Sequence, residues 1–508
     1  MFVLFASIAT SVFSVGTMGY LAMTTELGPW IAPIFIVVCT IFMRQFLYKR
    51  TTDSKYILAI VASGSIGGMI GMCLGLSFPS FFFMPEKIFK AWLMHPIYLV
   101  SIVGAFILVA GLYAFLLGYV LRHYFLIQTD RKFPMSQLVY DVLYSNNPEQ
   151  IKLLAFIGVI LSLIINRIIT FSRFLSSTQI VNFNMYPLLA SIGFISGQAV
   201  AIPVLIGLMT RVITLRLVHI YIPSNITDNS LVITFSMGMI VAWLIFNVSS
   251  VFIQRSAKYW QTHSFFLQII KKRWFQVWFL LAFGSNVLFL YYWNVSVLVA
   301  IMIFAVLMLL ALYSVDIIST IGILEIQTYV SFVLFGMIYF IPATMITMIA
   351  TSVLATLCLG IVIDLLFFYK LAKLANVDYG FIIKYQIIAV VAAVICSGII
   401  FWYFCNYFDI QSYAALTKKT YQFEEFFKYV EYNPKIFLLG FVYGILLHYM
   451  LGELLAIIGG ILMEPVVAGI LVSSGAFANL IKKREKVYPV FLGIYAGHIL
   501  WMLLGMLK

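Results

Sequence analysis

Charge is what this 508-residue chain has least of: Asp and Glu together number 18, and all charged residues make up 10%. An ordinary soluble domain carries roughly 25% charged residues. So little polar material leaves no surface for a soluble globule, and no segment reads as a separate soluble domain. Cysteine is also sparse. Cys39, Cys73, Cys358, Cys396 and Cys405 form no CxxC pair and fall mostly inside apolar stretches, which argues against a disulfide framework and a zinc site. No GxxxxGK[ST], HExxH or GxSxG stands in a usable context. An ATP motor, a zincin and a serine hydrolase therefore have no support, and no metal or cofactor is expected. Any vectorial work would draw on an ion gradient.

Apolar sequence fills the space that charge leaves. The chain is 63% hydrophobic, with a mean hydropathy of +1.07. Apolar stretches of about 18 residues or more recur from end to end, the length needed to cross ~30 Å of hydrocarbon. We expect an all-α polytopic membrane protein. Its first span, 3–24, has neither a basic leader nor a small-residue cleavage site and reads as a retained helix rather than a signal peptide. The net charge of +13 reads as basic loop residues fixing orientation, not as a nucleic-acid surface. Clusters at Lys49–Lys55, Arg122–Lys132, Arg255–Arg273, Lys370–Lys373 and Lys482–Lys486 are assigned to the cytoplasm. The N-terminus is then cytoplasmic, in what we expect to be a bacterial inner (plasma) membrane.

Placing every basic cluster on one side requires two segments that return to the side they entered. These are 186–220, open to the outside, and 454–481, open to the cytoplasm. The expected architecture is about 13 full spans plus two helical hairpins. The hairpins also resemble one another. LLASIGFISGQAVAIPVLIGLMTRVI (188–213) can be laid over LLAIIGGILMEPVVAGILVSSGAFANLI (454–481), with Gly193 over Gly459, Ile195 over Ile461 and Gln198 over Glu464. CLGLSFPSFFF (73–83) likewise matches CLGIVIDLLFFY (358–369), placing Pro79 over Asp364. These matches predict two inverted repeats, 1–253 and 295–508, with 254–294 as a linker containing a connecting span.

Within the hairpins, Gly193, Gly197, Pro203, Gly459, Gly460 and Pro465 are the candidate hinge or helix-breaking positions. Proline removes a backbone donor, and the freed groups persist at membrane depth only if buried in protein or lining a wet cavity. Ionisable residues inside spans each need a reason, at about 2.5–3.5 kcal/mol apiece on insertion scales. Asp364 and Glu464 are the candidates for substrate or proton binding, with Gln198 as the neutral counterpart of Glu464. Glu453 and Asp316 lie nearer span ends. His448 and His498 are either packing residues or proton relays. The bland alternative for Glu464 is a cap on a broken helix.

Several stretches, in order along nearly the whole chain, resemble the oligopeptide transporter family, which includes the yellow stripe-like metal-chelate carriers. ILAIVASGSIGGMIGMCLGLSFPSFFF (57–83) is similar to its small-residue early span ending at a proline, and LLGYVLRHYFLIQTDRKFPMSQLVYDVL (116–143) to its basic stretch, Phe-Pro turn and amphipathic helix. SIGFISGQAVAIPVLIGLM (191–209) resembles the Gly-rich half-helix. Segment 358–395 resembles the Asp-Leu-Lys-Thr-Gly region, with Asp364 at the acidic position, and 456–505 resembles the closing Gly-rich segment and terminal motif. Departures are equally plain: LLFFYK replaces the Lys-Thr-Gly, His498 stands where a glutamate is usual, Gln198 and Ala199 replace a polar turn, and Glu464 precedes a proline where the family is apolar.

The resemblance implies a non-enzyme: a proton-coupled secondary transporter importing small peptides or peptide-like metal chelates by alternating access. Its partners would be that solute, protons and the bilayer. A lipid-linked oligosaccharide flippase is one alternative, but it would want several arginines around a central cavity, and the early spans offer none at mid-membrane. A membrane-embedded acyltransferase using His448 or His498 as base is the other.

Overall fold

The structure, a computed structural model, describes residues 2–24, 54–77, 80–81, 86–128, 133–144, 148–175, 186–221, 228–253, 271–320, 330, 333, 344–407, 433–451, 454–463, 465–481 and 486–506. Helices account for nearly all of them, and no strand occurs among the described residues. In chain order the first half contains α1 (Phe2–Thr24), α2 (Ser54–Ser77), α3 (Glu86–Met94), α4 (Pro96–Arg122, running into a π-helical turn at His123–Gln128), α5 (Pro134–Tyr144), α6 (Pro148–Leu175), α7 (Tyr186–Ser196), α8 (Gln198–Tyr221) and α9 (Asp228–Ile253). The second half contains α10 (Arg273–Tyr292), α11 (Val297–Thr320), α12 (Met345–Leu374), α13 (Tyr379–Tyr407), α14 (Pro434–Leu451), α15 (Leu454–Leu462), α16 (Pro465–Leu480) and α17 (Tyr488–Met506).

Eight of these helices, α1, α2, α4, α8 and α10 to α13, contain segments long and apolar enough to cross a membrane, and six shorter apolar segments accompany them among the described residues. The chain is accordingly a multi-pass integral membrane protein. The expected span at 28–47 lies outside the described residues.

Two compact units emerge: Met1–Pro148 with Ile270–Tyr421, and Glu149–Ile269 with Gln422–Lys508. They do not follow the sequence division at 253 and 295, because each unit takes chain from both halves. Helix α10 lies within the segment read as a linker and belongs to the first unit.

In the first unit, α2 is buried over its whole apolar span and α12 over most of its length. Small residues make this possible. Gly67, Gly71 and Gly75 line one face of α2, and a Cβ at each would stand 2.8 Å from Ser11 Cα, 2.4 Å from the Val15 carbonyl and 2.5 Å from the Gly19 carbonyl of α1. With no hydrophobic driving force between helices in lipid, such close approach is what dispersion and polar contacts require. The two Cys-Leu-Gly runs matched in sequence meet in space: a Cβ on Gly360 would lie 2.6 Å from the Cys73 sulfur, and the Cys73 thiol donates to the Thr356 carbonyl at 3.3 Å.

Four glycine crossings organise the second unit. Helix α6 meets α17 at Gly158 and Gly493, where added Cβ atoms would stand 2.0 Å from the carbonyls of Val490 and Ala155, each three residues before the facing glycine. Helix α9 meets α14 in the same way at Gly238 and Gly440, with the carbonyls of Phe437 and Phe235 at 2.1 and 2.0 Å. The broken segments also cross. Helix α8 meets α15 at Gly207 and Gly460, and α7 meets α16 at Gly193 and Gly475. Phe194 of α7 stacks on Phe491 of α17, with centroids 3.6 Å apart.

The break between α7 and α8 is at Gly197, which adopts φ 63° and donates its N–H to the Gly193 carbonyl at 2.8 Å. Only glycine takes this left-handed turn without steric cost. Pro203, the other candidate breaker, lies inside α8, which runs through it. In the second broken segment α15 ends at Leu462 and α16 begins at Pro465, where proline's missing N–H costs a helix nothing. Gly460, rather than Gly459, is the point of closest approach: a Cβ at 459 would meet only the end of the Met463 side chain, at 4.0 Å.

Candidate functional site

Asp364 lies on α12 with no exposed surface. The Ser65 hydroxyl of α2 donates to its Oδ1 at 2.5 Å. Ser65 belongs to the small-residue run of α2 that lets the two helices approach, so the packing that buries the carboxylate also supplies a donor to it. The hydroxyl satisfies one of the two carboxyl oxygens, as a buried polar group requires. Near the C-terminal end of α12, Lys373 donates to the Leu126 carbonyl of the π-helical turn at 2.8 Å. Arg122 stands 5.0–5.5 Å from the ring centroids of Tyr119, Tyr369 and Tyr379.

The remaining sequence candidates with a described position in the second unit are Gln198, His448 and His498. Gln198 opens α8 immediately after the Gly197 turn and is exposed. His498 of α17 is buried, and its Nδ1 lies 3.0 Å from Asn166 Oδ1 of α6. The Asn166 amide nitrogen donates to the Ser162 carbonyl at 2.8 Å, which fixes the amide so that its oxygen faces the imidazole. Nδ1 then carries the proton and Nε2 is the acceptor of the neutral ring. Nε2 is buried with no hydrogen-bond partner among the described residues. His448 of α14 is half-buried and stacks on Phe246 of α9 at 5.6 Å.

Asp316 of α11 is half-buried in the first unit, and Ser319 donates to its main-chain carbonyl at 2.7 Å. Glu453 and Glu464 lie outside the described residues. The described candidates thus divide between the two units.

Sequence reasoning passed over Arg211 of the second unit. From α8 its Nη1 donates to the main-chain oxygens of Met463 at 2.6 Å and Ile461 at 3.3 Å. These are carbonyls at the end of α15, where a helix leaves acceptors unsatisfied and carries the negative end of its dipole. A guanidinium there satisfies both demands. The signal was available: Arg211 follows Gly207 by four residues and so shares the face on which that glycine admits a neighbouring helix. The chain itself thus supplies a cation to these carbonyls. Next to Arg211, the Thr210 hydroxyl lies 2.9 Å from the Tyr443 hydroxyl of α14.

Among the described residues no group of three or more His, Cys, Asp or Glu is placed to hold a metal ion. No known protein family's sequence pattern matches the chain, and a comparison with curated proteins returns no match.

Proposed function

We propose that the protein is a proton-coupled secondary transporter that carries small peptides or peptide-like metal chelates across a bacterial inner membrane by alternating access. The observation that carries this reading is the packing of two broken helices against each other, α7–α8 against α15–α16, through glycines at corresponding places. Broken helices in corresponding positions of two halves are the strongest sequence-readable mark of a transport site. We further read the halves as inverted repeats. The pair α6·α17 corresponds to α14·α9, and α7·α16 to α15·α8, so each crossing built by one half has a partner crossing with the roles of the halves exchanged.

The resemblance to the oligopeptide transporter family supplies the substrate class, and Asp364, with its hydrogen-bond donor on α2, is the leading proton carrier. A flippase gripping a diphosphate would want several arginines free to face a cavity, whereas the guanidinium of Arg211 is engaged with main-chain carbonyls. An acyltransferase leaves the doubled architecture without a purpose.

Reconstituted protein should accumulate members of a tetrapeptide pool, or iron or copper chelates, when a pH gradient is imposed, and should only equilibrate them without one. Acyl transfer or hydrolysis by purified protein in the absence of any gradient would overturn the reading.

A further inference from the structure

In the first unit, α1 and α2 run side by side in a constant register. A Cβ on Gly67, Gly71 or Gly75 would collide with Ser11, Val15 or Gly19, an offset of 56 residues at three successive turns. One turn earlier the same offset sets Ser7 opposite Ser63. Helix α13 lies against both helices here: Ser11 Oγ donates to the Ala389 carbonyl at 3.0 Å, and Ser63 Oγ to the Tyr385 carbonyl at 3.2 Å. Gln386 stands between those two contacts, next to Tyr385 and one turn before Ala389, on the buried face of α13. Ser7, Ser63 and Gln386 have no exposed surface.

Three polar side chains thus converge where three helices meet, and two of them are unsatisfied. The Ser7 hydroxyl and both ends of the Gln386 amide, Nε2 and Oε1, are buried with no hydrogen-bond partner among the described residues. Ser63 gives its proton to the Ala59 and Tyr385 carbonyls and keeps oxygen lone pairs with which to accept. Protein interiors pair nearly all of their polar atoms, so this junction calls for an occupant. The atoms narrow its chemistry. A cation could bind the amide and hydroxyl oxygens but would leave the Nε2 donors unanswered, and an anion would leave Oε1 unanswered. An occupant that both donates and accepts serves each end, and water does so in the smallest volume, with about three hydrogen bonds per molecule.

We propose that Ser7, Ser63 and Gln386 form an internal hydration site at the α1/α2/α13 junction, holding one or more structural water molecules. Such water accepts from Gln386 Nε2, donates to Gln386 Oε1 and Ser63 Oγ, and pairs with the Ser7 hydroxyl. Ser63 and Ser65 are two residues apart on α2, so the site lies within about 3 Å, along the helix axis, of the serine that donates to Asp364. The inference rests on packing within the first unit and does not depend on which solute is carried.

The test uses the full-length protein in detergent with no peptide or chelate present. A cryo-electron-microscopy map fine enough to resolve ordered solvent should show density at hydrogen-bonding distance from both the Gln386 amide and the Ser7 hydroxyl. Melting temperatures give an independent reading. Gln386→Met keeps the length of the side chain and removes both polar ends, and Ser7→Ala removes the hydroxyl. Each alone should lower the melting temperature by about 2 °C or more. The double variant Q386M/S7A should lose less than the two single losses combined, because both partners of the same water are gone. A dry junction in the map, a peak ringed by oxygens as a bound cation would be, or a Gln386→Met protein that melts above wild type would overturn the site. So would losses that simply add. Failure of gradient-driven accumulation in liposomes would count against the transport reading and leave this result standing.

Discussion

Asp364 is held by its surroundings more tightly than its place in a hydrophobic run suggests. Its side chain is fully buried and accepts a hydrogen bond from Ser65. A buried hydrogen bond contributes about 0.5–1.5 kcal/mol, and leaving its acceptor unsatisfied costs about 1–3 kcal/mol. Ser65→Ala should therefore lower the thermal stability of the purified protein. Asp364→Asn preserves shape and the acceptor facing Ser65, so it should melt close to wild type while losing gradient-driven accumulation in liposomes. Accumulation at the wild-type level in that variant would move the proton to another group, and His498 would be the next to test. There the Asn166 amide leaves Nε2 as the acceptor of the neutral ring, facing outside the described contacts.

At the scale of the helix, glycine determines which elements touch. A Cβ on Gly158, Gly207, Gly238, Gly440 or Gly493 would come within 2.0–2.1 Å of a main-chain oxygen, and a main-chain oxygen moves only if a helix moves. Alanine at any one of these positions should cost about 1–3 kcal/mol as overpacking, seen as a lower melting temperature and early aggregation on gel filtration. Gly284 and Gly469 have nothing within 4 Å of the added methyl. Alanine there should be neutral or stabilising, by up to about 1 kcal/mol through helix propensity. Equal damage at both sets would mean that the crossings are not what holds the second unit together.

The same crossings show how much could be read in advance. Membrane class, helical content and the two interrupted segments were legible, since apolar length and Gly or Pro placement are local properties. The register between the segments was not. In SIGFISG and AIIGGIL several one-residue shifts match almost equally well, and only the facing helix distinguishes Gly460, which is packed, from Gly459, which is not. Spacing from Gly207 puts Arg211 on the packed face, but the carbonyls it caps some 250 residues away were not legible, because a capping interaction between distant elements leaves no local pattern. Ser65 was hidden for the same reason: one serine in a run of small residues looks like any other until α12 is laid beside it.

For the whole molecule the decisive quantity is the direction in which each half runs. At 1.5 Å per residue, the 11 residues of α7 reach about 16 Å and the 24 of α8 about 36 Å. The 9 residues of α15 and 16 of α16 reach about 13 and 24 Å. Helix α8 is thus long enough to cross the hydrocarbon by itself, and length leaves open whether 186–221 turns back or passes through. The sidedness of the ends after α8 and α16 does not depend on that choice. If the halves are inverted, those ends lie on opposite faces whether each broken segment is a hairpin or a single crossing, and the second end is the one expected at the cytoplasm from the basic residues at Lys482–Lys486. Cysteines introduced at Ser224 and Lys483, positions outside the described residues, should react with a membrane-impermeant maleimide from opposite sides in a background without the native five cysteines. Labelling of both from one side would make the halves parallel. The broken helices would then be related by an axis along the membrane normal, and the exchange of one half against the other across the bilayer, on which the proposed alternating access relies, would lose its structural basis.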